Sequence, residues 1–190
     1  MTAPWLVPLY ALLVLGALLW LLSLRMQNTG IVDIFWGPMF AVTAGFGYAL
    51  GTGEPSRKLL ALALTLAWSG RLAVHLALRN LGHAEDPRYA AMRRHHGRKW
   101  AWLSWPVVFV LQPVLSFIVA MPLTAALHLG QGRALSLLDG LAAFLALLGI
   151  FFETVADAQL VRFKADADNQ GRVLDRGLWR YTRHPNYFGD

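Results

Sequence analysis

The sequence predicts an all-α, polytopic transmembrane helix bundle of about five spans plus the start of a sixth, with its N-terminus outside. Three observations predict it. Apolar residues make up 56% of the 190 residues and charged residues only 15%, far below the roughly 25% of ordinary soluble domains, and the mean hydropathy is +0.44. Five segments supply the roughly 20 apolar residues needed to cross a hydrocarbon core about 30 Å thick. The basic residues then fall almost entirely on one side of those segments.

The first segment, Trp5–Leu24, has no basic residue before it and Arg25 just after it. A secretory signal has the reverse order, so it reads as a retained span. Ile31–Leu50, Leu59–Leu78, Val107–Leu127 and Leu135–Leu160 follow. Pro113 and Pro122 lie within the fourth, where neighbouring helices can satisfy the carbonyls they free. With the N-terminus outside, thirteen of the seventeen Lys and Arg fall inside, Arg57, Lys58 and Arg133 fall outside, and Arg71 lies within the third span. This positive-inside bias accounts for the net charge of +6 and the pI near 10.2 without nucleic acid as a partner. No cysteine is present, which excludes disulfides and thiolate metal ligands.

The outside connectors, Gly51–Lys58 and Gly130–Ala134, are short and glycine-rich. The inside connection, 79–105, is long and reads as an interfacial cytoplasmic segment. Asp86-Pro87 forms an N-cap with Pro at the first helical position, and Gly97 a stop. The helix between them carries Arg93, Arg94, His95 and His96, then Trp100, Trp102 and Trp105 follow, a basic segment beside an interfacial aromatic group. Adjacent histidines diverge on a helix, so no metal site is expected. The segment 161–190 reads as a second cytoplasmic loop and the start of a further helix, within a single membrane domain of 1–190.

Polar residues inside spans are costly and ask for a partner or a wet cavity. Asp33 lies near the inner end of span two. Arg71 and His75 share one face of span three, Glu153 and Asp157 share one face of span five, and Lys164 continues that face if the helix persists past the span. Interhelical salt bridges, such as Arg71 with Asp33 or Glu153, are one reading, and a polar cavity open to the cytoplasm is the other. In the stretch from Gly177 to Asp190, Pro185 is placed to open a helix with His184 at the cap, beside the Arg183 fork.

The motifs Asn28-Thr-Gly-Ile-Val-Asp-Ile-Phe-Trp-Gly37, Asp86-Pro-Arg-Tyr89, Phe151-Phe-Glu-Thr-Val-Ala-Asp-Ala-Gln159 and Arg183-His-Pro-Asn-Tyr-Phe-Gly189 together resemble bacterial integral-membrane proteins grouped with the steroid 5α-reductases. The resemblance covers most of the chain. It implies NADPH entering from the cytoplasmic side of a bacterial inner membrane, with Arg71, Asp157, Lys164, Arg183, His184, Asn186 and Tyr187 lining the cofactor cavity. Asp190 would stand for an acidic residue, commonly Glu, just past the last motif. The steroid enzymes use a Glu on the second span and a Tyr on the third to polarise a carbonyl. Here Asp33 and Trp68 stand nearest, and Trp cannot serve as that acid. The resemblance is therefore fuller for the cofactor than for catalysis, with Asp33 and then Glu153 as the candidate proton donors.

The implied activity is reduction of a C=C bond in an apolar, enone-like lipid that enters laterally from the bilayer. The Arg-His-Pro-x-Tyr core is shared with isoprenylcysteine carboxyl methyltransferases, which makes S-adenosylmethionine the alternative cofactor. A non-catalytic membrane protein is the third reading. Family members continue through further membrane helices, so the chain is expected to be a C-terminally truncated form whose cavity lacks a wall.

Overall fold

The computed structural model describes residues 4–129 and 134–189. Residues 130–133 of the predicted connector Gly130–Ala134, and the reading of Asp190, lie outside the described residues. The chain divides into two compact units, Met1–Ala134 and Leu135–Asp190. Among the described residues all regular structure is helical.

Unit 1 opens with α1 (Val7–Met26), ended by Gln27 in the left-handed region at φ 53°. Twenty residues give about 30 Å of helix. The second expected span is not continuous. It breaks at Phe35 into α2 (Ile31–Ile34) and α3 (Trp36–Leu50). Pro38 explains the break, because it has no N–H for the Ile34 carbonyl and its ring clashes with that group, a conflict removed when a new helix starts at Trp36. The fifteen residues of α3 reach only about 22 Å. Four helical stretches, Pro4–Met26, Pro55–Asn80, Pro87–Val119 and Leu137–Ala165, are long and apolar enough to cross a membrane, so the expected count of about five becomes four.

The connector after α3 packs onto another helix end. Lys58 Nζ donates to the carbonyls of Tyr48 (3.0 Å) and Gly51 (2.8 Å), satisfying the end of α3. The Gly53 N–H donates to Leu127 O at 3.1 Å. The third long helix, α4 (Pro55–Asn80), packs on α2 and α3. α5 (Pro87–His96) begins and ends where the sequence predicts. The Asp86 carboxylate caps the Arg88 N–H at 2.9 Å, and Gly97 turns the chain at φ 53°.

The fourth span is segmented. α6 (Trp100–Ser104) leads into a π-helical stretch, Trp105–Val110, then α7 (Leu111–Val119) and α8 (Met121–His128). Pro113 cannot donate to the Phe109 carbonyl four residues back. That carbonyl faces Gly16 of α1, where a Cβ would collide with it. This close backbone approach, typical of membrane helices, seats Leu12, Leu19, Met39, Phe109 and Phe117 in one buried cluster. Val14, Leu18, Val74, Ile118 and Val119 point outward, as the lipid-facing side of a spanning helix requires.

Unit 2 is α9 (Leu137–Ala165), a loop, and α10 (Pro185–Gly189). A Ser136–Asp139 capping box starts α9, which runs five residues past the expected Leu160.

Candidate functional site

In unit 2 the chain beyond α9 folds back along it. Because α9 persists to Ala165, Glu153, Asp157 and Lys164 lie on one helical face as their spacing predicts. Asn169 Nδ2 donates to the Phe163 carbonyl and to Asp166 Oδ2, each at 3.1 Å, which reverses the chain. Gly177 adopts φ +64°, and a Cβ there would come within 2.6 Å of the Gln159 amide. Gln159 Oε1 then accepts from the Leu178 N–H (3.0 Å), and Trp179 Nε1 donates to Ala156 O (3.0 Å).

Pro185 opens α10 as expected, with the His184 carbonyl accepting from the Phe188 N–H at 3.1 Å. α10 runs antiparallel to α9. Asn186 Nδ2 donates to Asp157 Oδ1 at 3.2 Å, the Phe188 and Phe152 rings lie 5.6 Å apart, and Gly189 meets Gly149 so closely that a Cβ on either would strike the other's carbonyl. Glu153 and Asp157 are buried at 4% and 7% exposure.

The fold-back encloses an open cavity of about 1090 Å³. Lys164, Arg172, Arg180 and Arg183 line it, with Asp166, Asp175 and Trp179. Four cations against two carboxylates make it a place for an anion, and Arg supplies a planar fork suited to phosphate. The structure thus brings Asp157 together with Asn186, and Lys164 together with Arg183. His184 and Tyr187 face each other with ring centroids 5.4 Å apart, Tyr187 being exposed. Gln159, Asn169 and Trp179, which hold the fold-back, are positioning residues that the sequence reading did not select. The adjacent Gly177 was the one local hint.

The remaining predicted residues belong to unit 1. Arg71 and His75 lie on α4. The Asp33 carboxylate does not pair with Arg71. It accepts from Tyr89 Oη at 3.0 Å and from Arg88 Nη2 at 3.4 Å, because α5 returns across the start of α2. A second cluster lies beside it. Glu85 accepts from the Thr29 N–H (2.6 Å) and from Arg93 Nε and Nη2 (2.9 Å each). Arg93 Nη2 and Trp100 Nε1 both donate to Thr29 Oγ1, at 3.2 and 3.0 Å. Burial alone would raise the Glu85 carboxyl, but the hydrogen bonds and charge of Arg93 and the Thr29 N–H outweigh it and hold it below its ordinary range. The side-chain hydrogen bond from Arg88 is the main cause that lowers Asp86. No grouping of three or more His, Asp or Glu able to hold a metal occurs among the described residues.

A family model described as "Protein of unknown function (DUF1295)" matches residues 19–190. The chain is 30% identical over 216 aligned residues to the uncharacterized protein C594.04c of Schizosaccharomyces pombe, covering 100% of this chain and 62% of that protein. It therefore spans about three fifths of the length of this relative. No solved structure matches the chain. The family match takes in the end of α1, α2 to α10, both polar clusters of unit 1 and the cavity of unit 2, and the chain belongs to the DUF1295 family.

Proposed function

We propose that this chain holds the nucleotide of an NADPH-dependent membrane reductase, resembling the steroid 5α-reductases, that saturates the C=C bond of an apolar, enone-like lipid. The observation that carries the reading is the cavity of unit 2, with Lys164, Arg172, Arg180 and Arg183 around it and the Asp157–Asn186 contact fixing the adjacent helix start. The residues fit the group. Its volume of about 1090 Å³ is ample for a dinucleotide, and the four cations match a diphosphate and a further phosphate in charge.

NADPH, when bound, would supply the hydride and take up the oxidation that balances saturation of the C=C bond. Lys164, Arg172, Arg180 and Arg183 neutralise the phosphates. Asp157 and Asn186 orient the polar end of the guest. A carboxylic acid delivers the balancing proton to the enolate, and Asp33 and Glu153 are the proposed donors. In unit 1 Asp33 is engaged by Tyr89 and Arg88, and in unit 2 Glu153 is buried on α9. The rates of Asp33→Asn and Glu153→Gln variants distinguish them. The concentration of Arg and Lys on 79–105 and 161–190 supports a reading in which this chemistry faces the cytoplasm with the N-terminus outside, the proposed membrane being a bacterial inner membrane.

The test is titration of the purified protein with NADPH and, separately, S-adenosylmethionine, read by tryptophan fluorescence. Trp179 lines the cavity and should be quenched saturably by NADPH. Arg183→Ala should weaken that binding strongly, and less so at high salt, where phosphate attraction is already screened. Quenching by S-adenosylmethionine alone would move the assignment to methyl transfer. Binding of neither would overturn both.

A further inference from the structure

Unit 1 carries a group of cations that the nucleotide cavity does not use. Arg94, Arg98 and Lys99 are exposed at the end of α5 and in the turn after it, and Arg25 is exposed near the end of α1. These two elements meet, since Trp20 Nε1 donates to Ala101 O at 2.9 Å and Arg93 Nη1 lies 3.5 Å from Gln27 Oε1. The neighbouring carboxylates are already engaged. Glu85 is taken by Arg93, Asp86 by Arg88, and Asp33 by Arg88 and Tyr89. Arg25, Arg94, Arg98 and Lys99 make no hydrogen bond or ion pair among the described residues.

The depth of this group is marked by indoles. Trp20 packs on Trp102 and Trp105 with ring centroids 5.6 and 5.4 Å away. Trp102 is 73% exposed. Tryptophans with a wet edge and an apolar body settle at the headgroup level of a bilayer, and the apolar π-helical stretch and α7 start just beyond. Lys99 stands three residues before Trp102, so its ammonium lies within about one turn of that level.

We propose that Arg94, Arg98 and Lys99, with Arg25, bind the phosphates of anionic phospholipids while Trp102 seats among their headgroups. Three arginine forks and an ammonium answer the phosphodiester, and charge complementarity selects anionic over zwitterionic lipid. The surface fixes the depth of α6 and the π-helical stretch in the leaflet, and with it the lattice of Thr29, Glu85 and Trp100 behind it.

The test uses the full chain in detergent micelles, titrated with brominated phosphatidylglycerol or brominated phosphatidylcholine, with tryptophan quenching as the readout. The expected result is a preference of about tenfold or more for phosphatidylglycerol, shrinking several-fold when salt is raised from about 50 to about 500 mM. The R94Q/R98Q/K99Q variant should bring the two lipids to within about twofold. R98Q alone should give an intermediate ratio, which keeps the test decisive should the triple variant misfold. Trp102→Phe should remove most of the quenching specific to phosphatidylglycerol. Equal binding of the two lipids by the parent protein, or an unchanged ratio in the variants, overturns the proposal. So does loss of the preference on adding NADPH, which would give these cations to the nucleotide. An Arg183→Ala protein that keeps the lipid preference while losing NADPH separates this surface from the cavity of unit 2.

Discussion

Replacing Glu85 with Gln should lower the melting temperature of this protein by several degrees, although Glu85 lies in a loop. The reason is the environment of its carboxylate. It takes three hydrogen bonds, one from the Thr29 N–H and two from Arg93, and joins segments 56 residues apart. The Glu85 and Arg93 side chains are 11% and 29% exposed. The pair therefore lies between a surface ion pair, contributing about 0–1 kcal/mol, and a buried one, whose breakage costs about 3–5 kcal/mol. A loss of about 2–3 kcal/mol follows, or about 5–10 °C for a chain of this size. Gln keeps the shape and one acceptor for Thr29, so the effect isolates the charge.

The assay is thermal unfolding followed by intrinsic tryptophan fluorescence in a fixed detergent, with Arg93→Gln and the double variant completing a cycle. The pH dependence has a definite sign. The folded carboxyl is held below its ordinary value of 4.5, so its contribution is complete above that pH and is lost as pH falls through the lower, folded value. The gap between parent and variant should stay constant at neutral and mildly acidic pH and close only below about pH 4.5. A variant that melts within about 1 °C of the parent at neutral pH, or a gap that does not narrow as pH falls below the ordinary carboxyl value of 4.5, refutes the reasoning.

Thr29→Val should destabilise by about 1–3 kcal/mol in the same assay, because Trp100, 2% exposed, loses the acceptor for its indole N–H; an unchanged melting temperature would show that another acceptor replaces it. Gly16→Ala should be far more damaging than Gly70→Ala, since the first Cβ collides with the Phe109 carbonyl and the second meets nothing within 4 Å; melting temperatures of the two variants check the order. Gly149→Val should separate α10 from α9 at Gly189 and weaken NADPH binding at least tenfold, read by fluorescence titration, while the melting of unit 1 is unaffected. Asn186→Asp replaces the amide donor to Asp157 Oδ1 with a second carboxylate and should weaken nucleotide binding, the same titration being the check.

The sequence by itself determined the elements whose cause is local. Apolar length placed α1, α4 and α9. Asp86-Pro87 and Gly97 bounded α5, and Pro185 opened α10, because a cap or a proline acts on backbone groups within four residues. The shared face of Glu153 and Asp157 follows from helical spacing alone, whereas Lys164 joins it because α9 runs on to Ala165. The break at Phe35 was also written locally, in Pro38, but an unbroken count of apolar residues passes over it.

What only the tertiary structure decided is which polar groups meet. The spacing of charges left Arg71 open to Asp33 or Glu153, and of these Asp33 takes Tyr89 and Arg88, while Glu85 takes Arg93 with Thr29. In unit 2 the Gln159 and Trp179 contacts that shape the cavity depend on how the loop after Ala165 reverses. Bilayer thickness acts on each segment separately, so span length can be read along one dimension. A hydrogen bond across 56 residues exists only once packed backbones have brought donor and acceptor within 3 Å or so, and that depends on every intervening turn.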